Sequence, residues 1–126
     1  MIYLASPYSH DNSAVRELRF KLACRAAAQL MQSGFHVFSP IAHAHPIAEF
    51  GLPKGWGFRK KYDREFVDWC NECAVLCIDG WQESTGVQAE IDLFSQQGKP
   101  VVYIGPVDDK DMPSLKRRLQ GLLEGA

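Results

Sequence analysis

The sequence predicts an α/β fold, a three-layer sandwich in which a parallel sheet of four to five strands carries helices on both faces. Three observations point there. Short apolar runs rich in β-branched residues recur at residues 1–5, 35–38, 74–78 and 100–104. Between them lie segments whose apolar residues return at helical spacing. Three of the runs stop at turn residues, Ser6-Pro7, Ser39-Pro40 and Asp79-Gly80, as strands do. Strands alternating with helices need crossover connections, which make the sheet parallel and cover both of its faces.

The elements follow in order. Residues 1–5 form the first strand. Residues 11–33 form a long helix, because Val15, Leu18, Leu22, Ala26 and Leu30 recur at its period and Gly34 supplies the stop. Residues 35–38 form the second strand, and residues 41–50 read as a short helix or a loop carrying His43 and His45. Residues 51–57 are a turn-rich connection. Residues 62–73 read as a helix through Phe66, Val67 and Cys70, and residues 74–78 as the buried third strand. A helix begins at about Gly86, with Thr85 as its N-cap and Gln88 completing a capping-box pattern, and Gly98 ends it. Residues 100–104 form the fourth strand, residues 108–113 a polar linker and residues 115–123 a last amphipathic helix. The whole reads as one flavodoxin-like or Rossmann-like domain over residues 1–126.

Composition excludes several classes of function. Fourteen basic residues against fifteen acidic ones leave a net charge of -1, without the basic footprint of a nucleic-acid or membrane binder. No apolar run approaches the roughly 18 residues of a membrane span. The chain opens directly on a strand rather than on a signal-peptide pattern, so the expected compartment is the cytoplasm. Cys70-Asn-Glu-Cys73 matches C-x-x-C, but no second pair completes a zinc site. Cys24, Cys70, Cys73 and Cys77 are therefore expected to be structural thiols, and neither metal nor cofactor is expected.

In a parallel sheet the carboxyl ends of the strands share one rim, where ligands bind. Tyr3 with Ser6-Pro-Tyr8-Ser9, the segment from Ser39 through His43 to His45, and the loop from Asp79 through Ser84 to Gly86 gather there. The backbone N–H groups at the start of the helix after that loop favour an anion. Gly86 and Glu90 lie four apart on one helix face. Gly86 leaves room for a ligand, and Glu90 points towards it. The competing reading is a capped amphipathic helix with a solvated Glu90. Neither G-x-x-x-x-G-K-[ST] nor G-x-G-x-x-G occurs, which argues against phosphoryl transfer and dinucleotide binding. His43 and His45 share a face only on a strand. With no third ligand at a telling spacing, they point to substrate contact or structural hydrogen bonding rather than metal.

A family resemblance rests on Ile2-Tyr-Leu-Ala-Ser-Pro7, Asp63, Gly80-Trp81 and Ser84-x-Gly86-x-x-x-Glu90. Across about residues 1–104 the chain resembles the nucleoside 2-deoxyribosyltransferase superfamily, which includes 2'-deoxynucleoside 5'-phosphate N-hydrolases. The resemblance implies Glu90 as nucleophile, Asp63 as the aspartate before the third strand, Ser84 as a 5'-phosphate ligand and Tyr3 near the sugar. It implies a small-molecule nucleoside or nucleotide as partner and a homo-oligomer built from dimers, to which Trp56 and Trp81 are suited. The hydrolase branch follows its first strand with an arginine and glycines for phosphate, where this chain has Ser6-Pro-Tyr-Ser9. The implied reaction cleaves or exchanges an N-glycosidic bond. Its rivals are a non-catalytic nucleotide-sensing module of the same fold and a cytokinin-activating phosphoribohydrolase, whose Pro-Gly-Gly-x-Gly-Thr loop is absent.

Overall fold

A computed structural model describes residues 1–53 and 56–105, apart from the side chain of Trp56. The linker at 108–113 and the helix at 115–123 lie outside the described residues. The elements run β1 (Ile2–Ala5), α1 (Ser13–Gln32), β2 (Val37–Phe38), α2 (Pro40–Ala48), α3 (Trp56–Trp69), β3 (Glu72–Leu76), α4 (Thr85–Gln96) and β4 (Val101–Ile104). The four strands form one parallel sheet in the order β2-β1-β3-β4. Ile2 lies between Val37 and Glu72, and Cys73 between Tyr3 and Val101.

Alternation along the central strands divides the core into two layers. Ile2, Leu4, Ala74 and Leu76 face α1, where Ala26, Ala27 and Leu30 receive them. Tyr3, Ala5, Cys73 and Val75 face Val67 of α3 and Val87 and Phe94 of α4. Both central strands are buried throughout, as expected of a parallel sheet covered on both sides. Leu30 is fully buried, so Leu30→Ala should destabilise the fold by about 2–5 kcal/mol, read as a lower urea midpoint.

Several boundaries differ from expectation for identifiable reasons. β3 starts at Glu72, and Cys73 belongs to the strand rather than to the preceding helix. Glu72 is almost fully buried, an unusual place for a carboxylate and one that its residue type disguises. Cys77 lies just past the strand, half-buried. The edge strand β2 is reduced to two residues. α3 begins at Trp56, well before residue 62. The segment at 41–50 resolves as α2, with Ser39 accepting from Ala42 N–H at 3.1 Å and Pro40 opening the helix.

Leu18 is 56% exposed and not part of the core. A 20-residue helix spans about 30 Å, whereas a four-residue strand covers only about 13 Å. Only the second half of α1 therefore packs on the sheet, and its first half overhangs the carboxyl rim. All four cysteines are free. Burial pushes the Cys70 thiol up to about 11 and raises Cys73 further, which suits inert structural thiols. Among the described residues no helix is long and apolar enough to cross a membrane.

Candidate active site

Local periodicity brings two carboxyl groups inside. On α3, Asp63 shares a stripe with Val67, four residues on, and both are buried. On α4, Glu90 lies between Val87 and Phe94 on the buried face. The pleat of β1 sends Tyr3 towards both helices, where its ring packs on Phe94 at 5.5 Å and Phe38 at 6.0 Å. Tyr3, Asp63 and Glu90 thus meet in one cluster.

The cluster is electrostatically unsettled. Tyr3 Oη, Asp63 Oδ2 and Glu90 Oε2 are all buried without a hydrogen-bond partner in the protein. The Tyr3 hydroxyl is near enough to lower the pKa of both carboxyls, but its geometry to each falls short of a formed hydrogen bond. Burial pushes Glu90 up to about 8, with the Asp63 charge adding to the rise and Tyr3 and Arg59 opposing it. Burial also raises Asp63, against the pull of Arg59, His43 and Tyr3. Tyr3 is held well above the ordinary phenol value by burial and by the Glu90 and Asp63 charges, so it acts as a neutral donor. Unpartnered buried carboxyls are costly, and such strongly perturbed groups concentrate at functional sites.

Beside the cluster opens a cavity of about 860 Å³, within the size range of small-molecule sites. Its walls are the loop after β1, the overhang of α1, α2 and the start of α3. Asp63 belongs to both the cavity wall and the carboxyl cluster. Phe58, Tyr62 and His43 form an aromatic wall. His43 lies parallel to Tyr62 (7°, centroids 6.1 Å apart), with its Nε2 at 2.9 Å from the Tyr62 hydroxyl. Arg16 and Arg59 supply positive charge, and the Arg59 guanidinium sits 5.3 Å from the Tyr8 ring centre.

The remaining expected site residues are distributed around the rim. His43 and His45 both line the cavity, although on α2 they point in different directions. His45 is engaged at both ring nitrogens, by Tyr8 at 2.7 Å and Glu17 at 2.9 Å. Ser6 is buried at the end of β1 with its hydroxyl unpartnered. Ser84, not Thr85, caps α4: its backbone is extended, and its Oγ accepts from Val87 N–H at 3.2 Å. The helix starts one residue earlier than expected, so Gln88 falls outside the capping-box position. Its amide donates instead to the Trp81 carbonyl at 3.4 Å. Asp79 is exposed, and its carbonyl accepts from Arg19 at 3.2 Å. The next residue, Gly80, has φ 91°, a backbone conformation that side chains rarely adopt, which accounts for the glycine of the Gly-Trp pair. Tyr3, Ser6, Asp79, Ser84, Gly86 and Glu90 are not among the residues lining the cavity.

Sequence reasoning placed Tyr8 on the rim without giving it a role, and it missed Glu17, Arg16 and Arg59 as site residues. Arg59 was within reach, since it precedes Asp63 by one helical turn. Glu17 carries no such signal.

Residues 1–105 match the model of a family described as a domain of unknown function, DUF1937. Among solved structures, the chain is similar to a 2-deoxyribosyltransferase from Bacillus psychrosaccharolyticus. The TM-score is 0.61 at 30% identity, covering 86% of this chain and 74% of that one. A comparison with curated proteins gave no match. The parallel sheet and this likeness agree with the resemblance carried by the first strand and the Ser-x-Gly-x-x-x-Glu element: the chain is a DUF1937 domain and belongs to the nucleoside 2-deoxyribosyltransferase-like superfamily.

Proposed function

We propose that the protein, as a single domain over residues 1–126, cleaves or exchanges the N-glycosidic bond of a (deoxy)nucleoside or its 5'-monophosphate in the cytoplasm. The observation that carries this is the buried Tyr3–Asp63–Glu90 cluster adjoining a nucleotide-sized cavity through Asp63. Ionised Glu90 attacks C1' and holds a covalent glycosyl ester, splitting one hard step into two. The transition state is oxocarbenium-like, as in other glycoside cleavages, and its positive charge favours the anion that burial disfavours at rest. Neutral Tyr3 orients the attacking carboxylate. Asp63 holds a sugar hydroxyl, and the wall of Phe58, Tyr62 and His43 receives the base. This chemistry calls for no cofactor. The test incubates the protein with each deoxynucleoside and deoxynucleoside monophosphate, with and without a second base, and follows freed or exchanged base by chromatography.

A non-catalytic nucleotide-binding module is the second reading. Its supporting observation is that Glu90 is buried outside the cavity lining and that burial pushes its carboxyl up to about 8. Binding without release of base would establish it.

For the 5'-phosphate, the reading keeps Ser84 as a ligand: its Oγ accepts from Val87 N–H and retains its own proton for donation. Arg16 and Arg59 offer the cationic alternative on the cavity wall. Monophosphates should exceed nucleosides in kcat/KM by at least about tenfold, the equivalent of 1.4 kcal/mol. Ser84→Ala should cost about 1 kcal/mol of stability through the lost cap and should narrow that preference. A preference left intact would move the phosphate to the arginines, and equal kcat/KM values would refute a phosphate site. The same reading makes the protein a homo-oligomer built from dimers, and a monomer mass by light scattering at micromolar concentration would refute that.

A further inference from the structure

We infer that Tyr8, backed by His45 and Glu17, is the proton donor to the departing base, an acid–base device separate from the carboxyl cluster. The inference rests on the glycosidic reading above. Three elements converge on it: the loop after β1 brings Tyr8, α2 brings His45, and the overhang of α1 brings Glu17. The Tyr8 hydroxyl lies 2.7 Å from His45 Nδ1, and His45 Nε2 lies 2.9 Å from Glu17 Oε2. Phe20 stacks on the imidazole at 4.2 Å and 23°, while Tyr8 meets it edge-on at 5.5 Å and 79°. The ring is therefore clamped in one orientation, with both nitrogens committed.

Chemistry fixes the direction of the chain. An ionised Glu17 only accepts, so His45 Nε2 carries a proton. In the neutral ring, Nδ1 then accepts from the Tyr8 hydroxyl. In the imidazolium, Nδ1–H donates to the Tyr8 oxygen and frees the phenolic proton to face the cavity. Tyr8 shares that cavity with Asp63, and Arg59 stands over its ring while acting on both Asp63 and Glu90. The charged groups acting on the phenol are Arg16 and Arg59, which favour the phenolate, and Glu17 and Glu49, which oppose it, with burial raising its pKa overall. Tyr8 alone is thus a poor acid and needs a partner that replaces its proton as it leaves.

In the first half-reaction a Glu90 oxygen bonds to C1' as the C1'–N bond breaks. The bonding pair stays with the base, which takes the Tyr8 proton, and His45 Nδ1–H passes its proton to the Tyr8 oxygen. His45 is left neutral, with Nε2–H on Glu17. In the second half, water or an incoming base attacks C1' and expels Glu90. The proton of the attacking water or base goes to the Tyr8 oxygen as the Tyr8 proton passes to His45 Nδ1, and Glu90 leaves as the carboxylate.

The test compares an ordinary purine deoxynucleoside with its 7-methyl counterpart, whose cationic base departs neutral without needing a proton. Tyr8→Phe keeps the ring and removes only the hydroxyl. It should lower kcat on the ordinary substrate by at least about 100-fold, the lower range for general acid catalysis, and on the 7-methyl substrate by under about threefold. Glu17→Gln, a positioning residue, should show the same discrimination with a smaller loss. Asp63→Asn should slow both substrates alike. A Tyr8→Phe loss equal on both substrates, or absent from both, overturns the donor role alone, as does a loss confined to the ordinary substrate in Asp63→Asn. Wild-type protein that cleaves neither substrate overturns the donor role and the glycosidic reading together.

Discussion

Glu90→Ala is expected to lower kcat for base release by about 10⁴–10⁶-fold, the scale seen when a covalent nucleophile is deleted. The expectation follows from what surrounds this carboxyl. It is buried on the Val87–Phe94 face of α4, next to Asp63 and under Tyr3, and with Asp63 committed to a sugar hydroxyl it is the carboxyl left to bond to C1'. The pH profile gives a second test. Attack needs the carboxylate, and burial pushes Glu90 up to about 8. The wild-type kcat/KM, which reports the free enzyme, should therefore climb with pH through neutrality, and on the 7-methyl substrate, which needs no proton donor, it should level above about 8. The Asp63 charge contributes to that rise, so Asp63→Asn should move the limb to lower pH while slowing turnover. A limb in the ordinary carboxylate range, or turnover retained in Glu90→Ala, would remove Glu90 from the mechanism.

Much of this arrangement was legible in the residues, and the reasons are local. The order of strands and helices follows from β-branched runs alternating with helical stripes. The inward placement of Glu90 and Asp63 follows from apolar neighbours at i−3 and i+4 of Glu90 and at i+4 of Asp63. Tyr3 shares a sheet face with Ala5 by strand alternation, the face that α3 and α4 cover. What escaped depends on contacts that no short pattern encodes. Glu17 lies on an exposed turn of α1 and finds His45 across 28 residues, because α1 outruns the sheet. The sealed Glu72 made a strand look like a helix end. The cap at α4 passed to Ser84 because an extended backbone there lets its hydroxyl reach Val87 N–H, a choice between two adjacent capping residues that propensity does not make. The cationic side of the cavity came from Arg16 and Arg59 rather than from the rim loops, since the overhanging helices carry them there.

The carboxyl that limits turnover should also limit stability, and Glu90→Gln should therefore make the protein more stable in alkali. Glu90 titrates near its ordinary value of 4.5 in the unfolded chain but near 8 when folded. Between those values the folded state binds more protons than the unfolded one, so stability falls as pH rises. The contribution is fully present below about pH 4.5, declines at about 1.4 kcal/mol per pH unit and is lost once pH passes about 8. Asp63, raised by burial as well, adds a decline of the same sign. The full effect of Glu90 alone is roughly 3–5 kcal/mol, a large share of the 5–15 kcal/mol that typically holds a domain together. Glutamine keeps the shape and cannot ionise. Urea unfolding at pH 5, 7 and 8.5 should give a midpoint that falls for the wild type and declines far less for Glu90→Gln, with the variant clearly ahead at pH 8.5. Loss of activity with gain of stability at one residue is the trade expected where a strained site serves catalysis. A wild-type midpoint flat from pH 5 to 8.5 would mean that water reaches Glu90 in solution, and both the raised carboxyl and the alkaline limb of turnover would fall with it.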